Sequence, residues 1–315
     1  MVLKNKKILV TGGGGFLGSF VVRELIRRGA PKNTITITHS HTSDLRRLPH
    51  AIKAVEGKDI VIHLAAVTGG IEFHKNNPGS AIYDNAQMNI NILEASRRAG
   101  VEKLVSIGSA AVYRKDDPLP YREESFGRSV DLDSFHAPYN FAKLLLLVEG
   151  QAYRKQYGMN VVYLVPTNMY GPGDTGKTGY VIPSLIKRIL EAKEVSASTL
   201  EVWGTGKVTR DFLYVEDAAS GIVSALLKYD KPEPINLASG KEVSMKELAE
   251  TLCRLMKFNG KIVWLTDKPE GDSRRVLDAR KAKKEFGFEA KTSLKDGLRK
   301  TIEWYKKNVY KNPRD

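Results

Sequence analysis

With 315 residues, 42% hydrophobic and 27% charged, the chain has the make-up of an ordinary globular protein with room for one or two domains. Its densest apolar run, Leu144–Val148, falls far short of the ~18 residues of a membrane span. The stretch Ile8–Val10 after basic Lys4–Lys7 ends in glycines instead of growing into a signal sequence.

The lone Cys253 excludes an internal disulfide and fits a reducing compartment, so the cytoplasm is the expected location. The net charge of +14 suits attraction to nucleotides or to a polyanion, and equally a lysine-rich solvated surface. Its basic residues are dispersed, and the densest cluster, Lys281–Lys284, has Asp278 and Glu285 beside it; nucleic acid is not the expected partner. Six scattered histidines and one cysteine show no metal-site spacing.

In chain order, the pattern predicts a strand at Lys7–Thr11 and a helix at Phe16–Arg28, with Leu17, Phe20, Val21 and Leu25 on one face and Gly29 closing it. Strands follow at Thr34–Thr38 and Asp59–Ala65, then a helix at Asn85–Ala99 and a strand at Lys103–Ile107. A long helix at Tyr139–Tyr157 leads to a strand at Asn160–Val165. This alternation predicts a doubly wound α/β fold of Rossmann type, with a parallel sheet covered on both faces. Beyond Pro166 lies a glycine-rich loop, Gly171–Gly179, then a helix from about Pro183 to Lys193 and a short strand at Leu200–Trp203. Asp211–Val215 and the helix after it read as a return to the first domain. Ser244 and Glu247 form a capping box opening a helix to about Lys257. The expected division is a dinucleotide-binding domain over 1–168, with a return segment about 211–240, and a smaller mixed α/β lobe over 169–210 and 241–315.

Between the first strand and helix stands Thr11-Gly-Gly-Gly-Gly-Phe-Leu-Gly18, in which Gly12, Gly15 and Gly18 have dinucleotide-loop spacing. Such a turn needs residues without a Cβ, and the helix N-terminus offers free N–H groups to a pyrophosphate. An acid after the second strand would accept a bond from the ribose 2′-hydroxyl of NAD. Here the stretch is Thr38-His-Ser-His-Thr-Ser-Asp44, with His39 and Ser40 as short donors and Arg46 and Arg47 close by. NADP(H) is therefore favoured, with NAD(H) as the alternative.

Tyr139 and Lys143 are four apart on a helix and project from one face. A free phenol has a pKa near ~10, and a lysine ammonium one turn away favours the phenolate needed for proton exchange. Ser109, just past the Lys103–Ile107 strand, is placed to hydrogen-bond the same substrate oxygen.

At these residues the chain resembles the extended short-chain dehydrogenase/reductase family of nucleotide-sugar enzymes, over essentially its whole length. The likeness is carried by Thr11–Gly18, Asp44-Leu45, His63-Leu-Ala-Ala66, Ser109-Ala-Ala-Val-Tyr113, Tyr139-Asn-Phe-Ala-Lys143, Pro166-Thr-Asn-Met-Tyr-Gly-Pro172 and Arg210-Asp-Phe-Leu-Tyr-Val-Glu-Asp217. It implies catalysis by Ser109, Tyr139 and Lys143. It implies a cofactor held by Gly12, Gly15, Phe16, Leu17 and Gly18, by Asp44 and Leu45 near the adenine, and by Leu64, Ala65, Ala66, Asn85 and Pro166. Thr68-Gly-Gly-Ile71, Val181-Ile-Pro183, Val202-Trp-Gly204 and Arg274-Arg-Val-Leu-Asp278 are similar to the GDP-fucose synthase-like members. That likeness implies substrate contacts from Thr68, Gly69, Val181 and Trp203, and a diphosphate held by Asn168, Arg210 and Arg275, whose guanidinium groups can bond phosphate bidentately.

Where those members use a cysteine and a histidine to move the C3 and C5 protons, this chain has Ala111 and Tyr180. Alanine transfers no proton, which puts the double epimerisation in question and leaves reduction at C4 fully equipped. Ala110 and Ala111 also replace the acidic pair of the family's dehydratases. The expected activity is thus an NADP(H)-dependent 4-ketoreductase of a nucleoside-diphosphate sugar. The rivals are a 4-epimerase with tightly held cofactor and a non-catalytic nucleotide- or RNA-binding scaffold. His63 reads as a packed core histidine, His74 and His136 as loop residues beside the substrate, and Tyr113 and Tyr180 as sugar contacts or aromatic packing. Relatives commonly pair through the helix containing Tyr139, so a homodimer is expected.

Overall fold

The computed structural model describes residues 1–40, 42–128, 130–177, 179–268, 271 and 273–310. Position 41 of the His39–Asp44 stretch and position 178 of the glycine-rich loop lie outside the described residues. The first half alternates as its apolar pattern requires: β1 (Ile8–Thr11), α1 (Phe16–Arg27), β2 (Ile35–Ile37), α2 (Leu48–Val55), β3 (Ile60–His63), α3 (Ile71–Asn76), α4 (Pro78–Arg98), β4 (Lys103–Ile107), α5 (Ala137–Tyr157) and β5 (Val161–Pro166). The second half holds β6 (Asn168–Tyr170), α6 (Val181–Glu194), β7 (Thr199–Trp203), β8 (Thr209–Tyr214), α7 (Val215–Lys228), β9 (Ile235–Leu237), β10 (Glu242–Ser244) and α8 (Met245–Met256). It ends in β11 (Lys261–Leu265), β12 (Arg274–Arg275), α9 (Arg280–Phe286) and α10 (Leu294–Tyr305).

Six parallel strands form the main sheet in the order β2-β1-β3-β4-β5-β9. Period-two alternation sends Ile8, Val10, Ile60 and Ile62 into an apolar layer under α1, α7 and α9, and Leu9 and Val61 into one under α2, α4 and α5. Both layers are dry, so the strands carry almost no polar side chains, and the doubly wound architecture follows. The strand order reverses between β1 and β3. Ligands of open α/β sheets bind outside the carboxyl ends of the strands at that switch.

A second sheet places β8 between antiparallel β10 and parallel β12, with β6 also pairing β8; β7 and β11 form a separate parallel pair. Ile186, Leu200, Phe212, Leu248, Leu252 and Ile302 share its core with α6, α8 and α10. The segment at 209–214 therefore belongs to this sheet. The chain rejoins the main one through α7, packed on α1, and through β9. Ser244 caps α8 as its sequence implies, its hydroxyl accepting from Glu247 N at 3.0 Å.

Two short helices, α2 and α3, were not legible in the periodicity, and α4 begins seven residues earlier than the apolar pattern suggests, with Pro78 in its first turn. Proline suits that position because the first N–H groups of a helix have no intrahelical partner.

Candidate active site

The glycine loop opens directly off β1. Gly12 has φ +67°, a conformation that disfavours a side chain, and a methyl group at position 18 would lie 2.1 Å from the Gly12 carbonyl oxygen. Helix α1 can therefore start hard against the turn, with Gly15 as its N-cap and its first N–H groups facing the crevice between β1 and β3. A Cβ at Gly12 would also sit 3.0 Å from Ala65 N, so the loop and the Leu64–Ala66 segment after β3 form one surface. This cradle, open where side chains would fill it, fits a dinucleotide. Phe16 and Leu17 pack from α1 onto the core, and Gly173 of the later loop lies over Phe16.

At the end of β2, His39 and Ser40 are exposed, and the His39 ring stands in front of Gly14, 3.3 Å from where a Cβ would be. Arg46 is committed elsewhere: it pairs with Asp44 at 2.8 Å and with Asp84 of α4 at 3.0 Å. Its charge is offset by two carboxylates, while Arg47 beside it is exposed. Leu45 is buried and its carbonyl accepts from Asn91 Nδ2 at 3.0 Å. Asn85 does not turn its amide to the crevice. Its Oδ1 accepts from Val67 N at 2.9 Å, and its Nδ2 donates to the carbonyls of Val67 and Ala81, both at 2.8 Å. It shapes the wall by holding the segment that runs to Thr68 and Gly69.

Tyr139 and Lys143 share one face of α5, with the ammonium 5.7 Å from the phenol ring centroid, and both are buried. Lys143 Nζ donates to the Ile107 carbonyl at the end of β4 at 2.8 Å, and Asn140 Nδ2 donates to the Ala111 carbonyl at 2.7 Å. These two bonds draw the turn after β4 onto the helix. Ser109 lies in that turn, where its Oγ accepts from Ala111 N at 3.1 Å and keeps its own proton to donate. Sequence reasoning expected the phenol to be acidified by its neighbour. Instead burial pushes the Tyr139 pKa above its usual range, with Tyr180 adding to the rise and the Thr68 hydroxyl opposing it. Burial pulls the Lys143 ammonium down to about 8. Taking both groups out of water costs the charged form more than their mutual distance returns.

Arg210 and Arg275 are Cα partners on parallel β8 and β12, so their side chains leave the same face of the second sheet. Arg275 Nη1 donates to the Ala110 carbonyl at 2.7 Å, which ties this pair to the Ser109 turn. Asn168 stands one strand over, opposite Phe212, and its Nδ2 donates to the Asp211 carbonyl at 3.2 Å. Pro166 ends β5 and is buried. Val181 opens α6, just past Gly179, which abuts Gly70 of the Thr68–Gly70 segment. Trp203 closes β7 with its ring 59% exposed, and no bond ties it to the other residues named. Tyr113 is not a sugar contact: it is buried, its hydroxyl donates to Asn236 Oδ1 at 2.8 Å, and it stacks on Tyr121.

Residue spacing did not reveal an imidazole cluster behind the phenol. His74 is buried with its ring centroid 5.1 Å from that of Tyr139 and 4.8 Å from that of His136. The two histidines come from segments more than 60 positions apart, so only the packing of α3 on α5 brings them together. Among the described residues no group of three His, Cys, Asp or Glu is placed to hold a metal ion, and no helix is long and apolar enough to cross a membrane.

The chain is similar to several nucleotide-sugar enzymes. The profile of the NAD dependent epimerase/dehydratase family matches residues 8–238. The GDP-L-fucose synthase of Sinorhizobium fredii is 38% identical, across 99% of this chain and 99% of its own. Among solved structures, the NADP-bound GDP-mannoheptose C4 reductase of Campylobacter jejuni superposes with a TM-score of 0.85 at 27% identity, covering 96% of this chain and 99% of that one. The NADP-bound GDP-L-fucose synthetase of Naegleria fowleri does so with a TM-score of 0.87 at 26% identity, covering 99% and 97%. Glycine loop, Ser-Tyr-Lys constellation and full-length similarity agree: the chain belongs to the NAD dependent epimerase/dehydratase family.

Proposed function

We propose that this protein is an NADP(H)-dependent 4-ketoreductase of a nucleoside-diphosphate sugar, with a GDP-linked sugar as substrate. The observation that carries the reading is the meeting of Tyr139, Lys143 and the Ser109 turn at the carboxyl end of β4, the strand next to β3. The GDP-sugar names of the three relatives support the guanine nucleotide, and the NADP in two of them supports that cofactor. The absence of an acid after β2, with His39 and Ser40 in its place, supports a 2′-phosphate further.

When bound, the dinucleotide supplies a hydride to the C4 carbonyl carbon. The Tyr139 phenol is the acid: burial keeps it protonated, and it gives its proton to the carbonyl oxygen as negative charge gathers there. Ser109 donates its hydroxyl proton in a hydrogen bond to the same oxygen and fixes its place. Lys143, anchored on the Ile107 carbonyl, brings positive charge beside the phenolate that remains. Arg210 and Arg275 hold the diphosphate, with Asn168 beside them, and Thr68, Gly69, Val181 and Trp203 line the sugar and nucleotide. Residues 1–168 serve the dinucleotide, together with α7 and β9 of the expected return segment at about 211–240; residues 169–210, the rest of β8 and residues 241–315 serve the nucleotide sugar.

Two copies associate through α4 and α5, whose outward faces expose Tyr83, Ile90, Phe141, Leu145 and Val148. The test of the activity is a panel of 4-keto UDP-, GDP-, dTDP- and CDP-sugars followed at the nicotinamide absorbance. The reading expects stoichiometric loss of NADPH with the GDP sugar. Interconversion of C4 epimers without net loss of NADPH overturns it in favour of an epimerase. Salt-dependent retention of RNA by a Tyr139→Phe protein with undiminished biological activity overturns it in favour of a scaffold.

A further inference from the structure

Thr11, His63 and Asn89 form a buried chain of hydrogen bonds that none of the roles above uses. Thr11 ends β1 beside Gly12, and its hydroxyl oxygen accepts from the N–H of Ala65 at 3.2 Å and, shared with the Thr11 carbonyl, from that of Leu64 at 3.1 Å. A hydroxyl has two lone pairs and one hydrogen. With both pairs engaged, its third contact, 2.8 Å to His63 Nδ1, has Thr11 as the donor. Nδ1 is then the bare nitrogen of the ring, and the proton sits on Nε2. Nε2 donates to Asn89 Oδ1 at 3.0 Å, and Asn89 Nδ2 donates to the Ala142 carbonyl at 2.9 Å. Ala142 lies between Tyr139 and Lys143 on α5. Every bond runs in one direction, from the floor of the glycine loop to the helix carrying the proposed acid.

All three side chains are at most 2% exposed, so water cannot replace a lost partner. Burial, reinforced by the Lys143 charge, holds the imidazole at about 4, which keeps it neutral and its acceptor nitrogen free of a proton.

We propose that His63, locked as the Nε2–H tautomer, is a positioning residue that sets helix α5 against the dinucleotide floor. This role rests on the ketoreductase reading, because its consequence is the distance between the Tyr139 phenol and a sugar carbonyl lying over that floor. Reaction rates fall steeply when such groups are misplaced by about an ångström. A neutral histidine suits the place because it accepts on one side and donates on the other, which bridges a hydroxyl donor and an amide acceptor. Lysine, arginine or a carboxylate would bring an unpaired charge into the same dry space.

Two measurements test it. Nitrogen-15 NMR of histidine-labelled protein should show one ring with bare Nδ1 and protonated Nε2 that does not titrate between about pH 5 and 8. Its resonances are assigned by their shift in Asn89→Asp. In kinetics, Thr11→Val and Asn89→Leu should lower kcat about 10- to 100-fold, with KM for the sugar within about twofold. Thr11→Ser keeps the hydroxyl and should restore kcat. Retained NADPH binding and an unchanged circular dichroism spectrum establish that these variants are folded.

A proton on Nδ1, an imidazole titrating in its ordinary range, or undiminished kcat in both Thr11→Val and Asn89→Leu overturns the proposal. Failure of the underlying reading looks different: Tyr139→Phe would keep its turnover while the tautomer signal stayed in place.

Discussion

Tyr139 and Lys143 illustrate how burial sets chemistry at the scale of a residue. The phenol pKa lies above its usual range, so the proposed acid stays protonated through neutral pH, as reduction of a ketone requires. Tyr139→Phe removes that proton and should lower kcat by about 10²–10⁴, with NADPH affinity, read by fluorescence titration, changed less than about twofold. The lysine gives a pH signature. Its folded pKa of about 8 lies below the ordinary lysine value of 10.5. Below about pH 8 both folded and unfolded chains hold the proton, so the cost of the buried charge is fully present. Between about 8 and 10.5 the folded state has released a proton that the unfolded chain still binds, and stability climbs with pH. Wild type should therefore gain on the order of 3 kcal/mol over Lys143→Met across that window, measured by denaturant melts. A third expectation belongs to Ala111 and Tyr180. With no cysteine–histidine pair to exchange protons, product formed in deuterium oxide should carry no deuterium at C3 or C5 by mass spectrometry. Incorporation there would assign the epimerisation to other groups. At this scale the glycine turn and the common face of Tyr139 and Lys143 were legible, because their spacing is local. The partners of Asn85, Asn89 and His63 were not, since all their bonds but the one from Asn85 to Ala81 join positions 18 to 53 residues apart.

The element that decides binding is the strand–turn–helix unit from β1 to α1. Gly18 lies in the first turn of α1, and a methyl group there would drive Gly12 out of place. Gly18→Ala should therefore lower NADPH affinity at least about tenfold in a titration while far-ultraviolet dichroism stays unchanged, because the fault sits at one helix end. Long elements with a clear period were legible to within two residues: β1, α1, β4, α5 and β5 all lie where the apolar pattern predicts. Short ones were not. Helices α2 and α3 have eight and six residues, and β12 has two, too few for a period to register. These elements owe their form to neighbours: α2 to the layer under α4, and β12 to its pairing with β8.

In the whole molecule, α4 and α5 lie side by side and keep apolar side chains facing outward. Val148 is 54% exposed and Phe141 41%, although Leu146 and Leu147 between them are buried. The run Leu144–Val148 thus divides between the core and an outer face, which the sequence alone left undecided. Phe141→Glu combined with Val148→Glu should convert the proposed dimer to a monomer in light scattering, since two buried charges per copy oppose association. An unchanged mass would show that this face is not the interface. Arg46, one of the two arginines expected close to a 2′-phosphate, spends its charge on Asp44 and Asp84.

By itself the sequence determined the sheet architecture, the glycine loop and the shared face of Tyr139 and Lys143, because period, glycine spacing and i, i+4 separation are properties of neighbouring residues. Only the tertiary structure decided which polar groups are left for a ligand. Asn85 closes on the backbone of Val67 and Ala81, Arg275 reaches the Ser109 turn, two histidines pack behind Tyr139, and His63 is fixed between Thr11 and Asn89. The physical reason is that a buried donor or acceptor must find its partner wherever the fold supplies one, and that choice is made by segments distant in the chain.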